Sequence, residues 1–256
     1  MKLNTFIRLV ATLLVALTLL TGCTMGASTK DFDYKTDISE VHKVLDTKDK
    51  KFLKLVNKQN SVKSDYEPDD LINLDVAYTT GEKIISLDEH TATAVMAMID
   101  EMREFGINNV TVTSGYRTYK YQQQLFDRYL NDEREAHPAW SEAQIEEYVL
   151  TYSARPGTSE HQTGLCVDLI TDEMVGLWNF GSETPDNPYD KGFAETDAYE
   201  WLCENAHKFG FILRFPEDKT DVTGYSYESW HYRFVGVAAA TEMYEKGITL
   251  EEYLGK

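Results

Sequence analysis

The chain has 256 residues, 42% of them hydrophobic, and its 43 acidic and 25 basic side chains give a formal net charge of −18. Such an acidic chain is poorly suited to bind nucleic acid, because the phosphate backbone attracts the opposite charge. The length fits one well-buried domain with a small extension. Three cysteines are too few for a disulfide scaffold, and their spacing matches no structural zinc motif.

The N-terminus carries the pattern of an export signal. A lysine and an arginine precede an apolar run over residues 9–20, and the sequence turns polar directly after Cys23. A charged start, a short apolar core and small residues before a break predict a signal peptide over 1–22, whereas the run is short for a spanning helix. Residues 20–23 (LTGC) resemble the bacterial lipobox, which implies lipidation of Cys23 and anchoring at the extracytoplasmic face of the cell membrane. An uncleaved anchor helix with an incidental cysteine is the alternative.

The remaining chain predicts a tether followed by a domain of mixed elements. Residues 23–51 are polar and lack a sustained apolar stripe, so we predict a polar tether with one short helix over 39–45. We place the folded domain at 52–256. Its patterns predict, in chain order, helices over 88–105, 119–130, 141–152, 198–209 and 237–246, and strands over 109–113, 165–170, 211–215 and 230–235. The helix over 88–105 is the clearest, with an apolar stripe of Ala92, Val95, Met96, Ile99 and Met102. Because the elements show no regular βαβ rhythm, we predict an α+β fold around a mainly antiparallel central sheet flanked by helices.

Two short stretches contain the residue types of a metal site. His161 lies seven positions before Asp168, and Glu228 lies three before His231. Two neutral imidazoles and one carboxylate suit a catalytic zinc ion, and the other carboxylate would be available as a general base. Asp168 lies in an otherwise apolar strand, where a buried acid needs a partner. Spacing alone does not decide between a metal and a salt bridge, for instance to Arg117 or Arg155.

The position of Glu228 requires a turn. Residues three apart lie on opposite faces of an ideal strand, so Glu228 and His231 converge only if the chain turns between 225 and 230. Gly224 and Ser226 make such a turn plausible. The alternative is that Glu228 is an exposed turn residue.

Several motifs in the same order resemble the VanY-type D-alanyl-D-alanine carboxypeptidases over about residues 53–240. They are Ser114-Gly115-Tyr116-Arg117-Thr118 with Gln122, Gly157-Thr158-Ser159-Glu160-His161-Gln162-Thr163-Gly164 with Asp168, and Glu228-Ser229-Trp230-His231-Tyr232-Arg233-Phe234-Val235-Gly236. The resemblance implies the small α+β zinc-peptidase fold shared with lysostaphin-type enzymes and Hedgehog domains. Two residues depart from the family pattern, since Cys166 stands where a small residue is usual and Ser229 where proline is usual. Cys166 would face the same side of its strand as Asp168, and a buried inert thiol is the simpler interpretation.

The resemblance also assigns roles to individual residues. It makes His161, Asp168 and His231 the ligands of one catalytic zinc ion. It makes Glu228 the general base and acid, and Arg117 the cation that stabilises the oxyanion. The substrate contacts that it implies are Gln122, Ser159 and Ser114.

The implied function is removal of terminal D-alanine from peptidoglycan stem peptides by a monomer anchored in the membrane through Cys23. An LD-carboxypeptidase acting on tetrapeptide stems is the first alternative. A zinc-holding wall-binding module without turnover is the second, and the retention of Glu228 and Arg117 argues against it.

Overall fold

Short strands and helices alternate irregularly in the computed structural model, which describes residues 26–81, 83–174 and 192–256. The strands are β1 (Leu71–Asn73), β2 (Ser86–Asp88), β3 (Val110–Ser114), β4 (Cys166–Thr171), β5 (Phe211–Leu213) and β6 (His231–Phe234). The α-helices of these ranges include α1 (His42–Leu45), α2 (Glu89–Glu104), α3 (Tyr119–Ala136), α4 (Glu142–Val149), α5 (Asp197–Asn205), α6 (Thr220–Thr223), α7 (Val237–Lys246) and α8 (Leu250–Tyr253). The predicted signal peptide and Cys23 lie outside the described residues. None of the helices described is long and apolar enough to cross a membrane.

Four antiparallel strands form the central sheet in the order β3-β4-β6-β5. Strands β4 and β6 lie in the middle of the sheet, and every residue of both is buried. Polar side chains in such strands need partners inside the protein, because burial removes them from water. The sheet confirms the predicted α+β fold and places Asp168 and His231 on neighbouring central strands.

Helix α2 supplies much of the core that supports this sheet. The Asp88 side chain caps its N-terminus by accepting a hydrogen bond from the backbone N–H of His90. Gly106, at φ +86°, lies just beyond its C-terminus in a conformation that favours glycine. Its buried apolar side chains join those of β3, β4 and β6 in one core cluster: Ala92, Ala94, Val95, Met98, Ile99 and Met102. Met96, which we predicted in the buried stripe, is only partly buried.

Some predicted elements differ from the structure at their ends. Helix α3 continues six residues past the predicted end at residue 130, where the buried Glu133 carboxylate accepts a hydrogen bond from the Tyr152 hydroxyl at 2.9 Å. Helix α5 ends at Asn205 and is followed by a 3₁₀ turn over Ala206–Phe209. The β1–β2 hairpin was not predicted, because its two strands have only three residues each.

Residues 26–51 fold against the domain. Leu45, at the end of α1, is fully buried in the main core cluster. The buried Glu101 carboxylate of α2 accepts hydrogen bonds from the backbone N–H groups of Lys35 and Thr36, both at 2.8 Å. This packing differs from the polar tether that we predicted for 23–51, and of the short helix predicted over 39–45 only the last turn is present, as α1. A polar segment can pack in this way because carboxylates of the protein bind its backbone donors.

The start of this segment is also held in place. The carboxylate of Asp46, directly after α1, accepts hydrogen bonds from the Ser28 hydroxyl at 2.8 Å and the Thr29 backbone N–H at 2.7 Å. The chain is therefore attached to the domain from residue 28 onward.

We expect Leu45→Ala to lower the free energy of unfolding by about 2–5 kcal/mol, the usual cost of truncating a buried leucine. Val76→Ala is the matched control, because Val76 is 70% exposed and its truncation should change stability by no more than about 0.5 kcal/mol. Chemical denaturation measures both. Equal effects of the two substitutions would show that the burial of Leu45 does not stabilise the fold.

Candidate metal centre

Two central strands bring Asp168 and His231 together. Strands β4 and β6 pair these residues directly opposite each other. Side chains at such paired positions lie on the same face of the sheet, and Asp168 Oδ1 is 2.9 Å from His231 Nδ1. Both side chains are buried. The strand register therefore brings together two of the three predicted metal ligands.

The third predicted ligand comes from the turn that precedes β4. His161 lies in the 3₁₀ turn Glu160–Thr163, which Gly164 ends at φ +68°. A side chain at Gly164 would be strained by this conformation and would approach a backbone nitrogen at 2.9 Å. His161 Nδ1 lies 2.6 Å from the Gly115 carbonyl oxygen, which can only accept, so Nδ1 is the donor. His161 Nε2 then faces Asp168, 3.3 Å from Oδ2.

The three predicted ligands lie close together and have the donor types that zinc prefers. Nitrogen or oxygen donors bound tetrahedrally at about 2.0–2.1 Å lie roughly 3.3 Å from each other. Asp168 Oδ1 lies 2.9 Å from His231 Nδ1, and the other oxygen, Oδ2, lies 3.3 Å from His161 Nε2, so the carboxylate faces both imidazoles. Two imidazoles and one carboxylate also form a common catalytic zinc ligand set. The chemistry of the three residues therefore suits zinc, and the Asp168 carboxylate brings the two imidazoles to one centre.

Cys166 adds a thiol to this centre. It is fully buried, and one donor atom from each of Cys166, His161 and His231 lies within 4.8 Å of the other two. Burial raises the pKa of the thiol, but the two histidines outweigh burial and lower this pKa to about 7. The family motif predicts Asp168 rather than Cys166 as the third ligand, and the Asp168 carboxylate faces both histidine nitrogens.

The charges of the centre are strongly coupled. Burial raises the pKa of Asp168, but His161 and His231 outweigh it and hold this pKa well below its usual value. Burial and Arg117 lower the pKa of His161, but Cys166 and Asp168 raise it to about 9. The pKa of His231 is likewise raised, against burial, by Cys166, Asp168 and Glu160. The acidic neighbours therefore favour the protonated form of both histidines when no metal is bound. Because metal ligands must be deprotonated, metal binding releases these protons and is favoured as pH rises.

A turn brings Glu228 to the same centre. Residues 229 and 230 form the turn, and the Glu228 carbonyl accepts a hydrogen bond from the His231 N–H at 3.3 Å. Glu228 Oε2 lies 3.8 Å from His231 Nδ1, and the Glu228 side chain is 13% exposed. The chain thus turns where the three-residue spacing required it. Glu228 lines the pocket at the centre instead of lying exposed on a surface turn.

Arg117 and Ser114 form the adjacent wall. Arg117 Nη2 donates a hydrogen bond to Asp168 Oδ2 at 3.0 Å, and Arg117 Nε donates to the Ser114 hydroxyl at 3.1 Å. The salt bridge that the sequence offered as an alternative to a metal therefore exists together with the histidine contacts. Arg155 pairs with Glu146 instead. Ser114, which we predicted as a substrate contact, therefore orients the Arg117 guanidinium in the structure.

Gln122 and Ser159 line the pocket next to the centre. Gln122 Nε2 donates to the Ala154 carbonyl at 2.9 Å. Gln122 Oε1 is buried and has no hydrogen-bond partner among the described residues. Because a buried acceptor without a partner is costly, this oxygen is suited to accept an N–H group from a bound peptide. Ser159 lies beside His161 and is buried in the same wall.

The sequence analysis missed Glu160, which lies between two predicted site residues. Its side chain is buried, and Oε1 accepts hydrogen bonds from Arg214 Nε at 3.0 Å and Arg233 Nη1 at 2.5 Å. Both arginines interrupt apolar strand segments, which indicates that each needs a buried acid. The sequence therefore indicated that each arginine has a buried acidic partner, but it did not indicate which acid.

The antiparallel sheet, the three donors and the neighbouring glutamate form the arrangement expected of an α+β zinc peptidase. The family model described as VanY, D-alanyl-D-alanine carboxypeptidase, matches residues 84–237. The chain belongs to this family. The resemblance found in the motifs is thereby confirmed.

Individual relatives agree with this assignment. The D-alanyl-D-alanine carboxypeptidase of Enterococcus faecalis (strain ATCC 700802 / V583) is 38% identical over 200 residues, which are 78% of this chain and 64% of the relative. The chain thus spans somewhat less than two thirds of that protein.

Solved structures extend the comparison to the fold. One neighbour is the vancomycin resistance D,D-pentapeptidase VanY, solved as a mutant in complex with Zn(II). It is 37% identical to this chain with a TM-score of 0.63, and the match covers 80% of this chain and 99% of the neighbour. The LD-carboxypeptidase LdcB is 36% identical with a TM-score of 0.64, covering 80% of this chain and 86% of that one.

Proposed function

We propose that this protein is a zinc-dependent carboxypeptidase that removes terminal D-alanine from peptidoglycan stem peptides. The observation that carries the proposal is the convergence of Glu228 and Arg117 on the donor set of His161, Asp168 and His231. Membership of the VanY family supports the reaction, and the neighbour solved with Zn(II) supports the cofactor.

His161, Asp168 and His231 would hold the zinc ion. Zinc supplies Lewis acidity there, polarising a carbonyl and lowering the pKa of bound water to about 7. The Glu228 carboxylate accepts the proton of the attacking water and donates it to the nitrogen of the departing D-alanine. A carboxylate beside the ligands, in a largely buried pocket, is placed for both transfers.

Arg117 and Gln122 act on the substrate. The guanidinium of Arg117 is permanently charged, so it stabilises negative charge that develops on the scissile carbonyl oxygen without transferring a proton. Its bonds to Asp168 and Ser114 fix its orientation before the substrate arrives. Gln122 Oε1 accepts an N–H of the stem peptide.

The direct test is to incubate the zinc-loaded protein with pentapeptide and tetrapeptide muropeptides and to analyse the products by mass spectrometry. Loss of one alanine from the pentapeptide is the expected result. The LD-carboxypeptidase LdcB is about as similar to this chain as the VanY neighbour, so trimming of the tetrapeptide alone would favour that second function. Zinc binding without cleavage of either substrate would instead indicate a non-catalytic wall-binding module.

We expect Arg117→Ala to lower turnover by about 10²–10³, the scale for one missing oxyanion donor, while zinc remains bound. Arg117→Lys should restore only part of this loss, because a point charge does not reproduce the guanidinium fork. Initial rates on the pentapeptide and zinc content by elemental analysis measure the two properties. Full activity of Arg117→Ala would remove Arg117 from the mechanism.

We also propose that Cys23 carries a lipid that anchors the protein at the extracytoplasmic face of the cell membrane. The lipobox-like sequence and the preceding apolar run support this proposal. Cys23→Ala should therefore abolish lipidation and either stop maturation or release the protein from membranes, as fractionation and mass analysis would show. A Cys23→Ala protein that is processed normally and stays in the membrane fraction would contradict the anchor.

A further inference from the structure

His231 Nε2 faces the carboxylate of Glu160, which has no role in the proposed mechanism. Glu160 Oε2 lies 3.6 Å from His231 Nε2. Both atoms are buried, and neither has a hydrogen-bond partner within the described residues. An imidazole nitrogen and a carboxylate oxygen in this arrangement are a donor and an acceptor that lie slightly beyond hydrogen-bonding distance.

The surroundings of Glu160 fix the direction in which this carboxylate points. Its other oxygen, Oε1, is held by Arg214 and Arg233, whose side chains are fully buried. Arg214 is bound in turn by both oxygens of Glu251, at 2.6 and 2.9 Å. Arg233 Nη2 donates to the backbone carbonyl of Phe52 at 3.0 Å. Glu160 therefore cannot turn away from His231 without breaking this network.

The His231 ring is also oriented. The ring of Phe215 stacks on it, with centroids 5.0 Å apart and planes 26° apart. Nδ1 faces Asp168 and Glu228, on the metal side, while Nε2 faces Glu160. A neutral imidazole carries one proton, so Nδ1 can bind a metal only when that proton is on Nε2.

We propose that Glu160 is a positioning residue that accepts the Nε2–H of His231 and so makes Nδ1 the metal-binding atom. This inference rests on the proposed zinc-dependent function. As a counter-ion, Glu160 binds Arg214 and Arg233 through Oε1. In the proposed role it acts through Oε2 and selects the tautomer of His231. Such outer hydrogen bonds typically change metal affinity by about 10–100-fold.

Glu160→Gln tests the proposal because it replaces one hydrogen-bond acceptor, a carboxylate oxygen, with a donor, the amide NH₂ group. Arginines only donate hydrogen bonds, so the amide oxygen will face Arg214 and Arg233, and the NH₂ group will face His231 Nε2. Two donors then oppose each other, which disfavours the Nε2–H tautomer. We expect the full-length Glu160→Gln protein to bind zinc about 10–100-fold more weakly in a chelator competition assay.

Glu251→Gln is the matched control. Glu251 is as buried as Glu160 and also binds Arg214, but it forms no ion pair with His231 in the described structure. Both substitutions should destabilise the fold, whereas only Glu160→Gln should weaken zinc binding. Equal weakening in the two variants would show that Glu160 serves only the buried ion network and would overturn the proposal.

The wild-type protein gives a second test that does not depend on the folding of a variant. The chain has six histidines, so ¹⁵N-histidine labelling gives a spectrum simple enough to assign tautomers. In the zinc-loaded protein we expect His231 to carry its proton on Nε2 and to bind zinc through Nδ1. Metal binding through Nε2, or wild-type zinc affinity in Glu160→Gln, overturns this inference alone. A wild-type chain that binds no zinc overturns the proposed function as well.

Discussion

We expect Glu228→Gln to lower turnover on the stem peptide by about 10²–10⁴, the range for loss of a general acid–base group. Glutamine keeps the size and shape of the side chain but cannot accept the proton of the attacking water. His161, Asp168 and His231 remain, so the variant should bind zinc normally and stay folded. Single-turnover rates, zinc content and thermal unfolding measure these three properties.

Glu217→Gln is a suitable control for this experiment, because Glu217 is an exposed acid of the same region and does not line the pocket. It should leave the rate unchanged. Retention of most activity by Glu228→Gln would refute the proposed proton transfer. Loss of zinc from that variant would instead make Glu228 a ligand.

Asp168→Ala should lose most of its bound zinc, and its activity should fall to that of the metal-free protein. The substitution removes the carboxylate that faces both histidine nitrogens, and two imidazoles alone form an incomplete site. Zinc content after dialysis and activity with added zinc are the measurements. Asp172→Ala, at an exposed acid just beyond β4, should retain both zinc and activity.

Arg117→Ala separates the two functions of Asp168, because it breaks the same salt bridge without removing a ligand. If Asp168→Ala keeps one zinc ion per chain and only unfolds at a lower temperature, the carboxylate is a counter-ion of Arg117. The assignment of Asp168 as a ligand would then be wrong.

Local sequence patterns were enough to predict the strands and helices around the metal centre. Helix α7 begins and ends at the predicted residues, because Gly236 and Gly247 flank it in conformations that favour glycine. Asp168 stood out as an acid within an apolar strand, and the structure places it opposite His231. These inferences needed only neighbouring residues, together with the family motifs.

The sequence could not indicate the partners that lie far apart along the chain. Glu160 binds Arg214 and Arg233, which are 54 and 73 positions away. A charged residue in a buried segment indicates that a partner exists, but only the fold determines which one. The same reason explains the predicted tether, since the contacts that hold residues 26–51, such as the core around Leu45 and the Glu101 carboxylate, lie far along the chain.

The folded N-terminal segment bears on the proposed lipid anchor, because it leaves little free chain between Cys23 and the domain. With the lipid anchor proposed at Cys23, only five peptide units separate the anchor from Ser28, which Asp46 already holds. Five residues span at most about 18 Å even when fully extended. With that anchor, the folded domain would begin no more than about 18 Å from the bilayer surface, so its pocket would open close to the membrane.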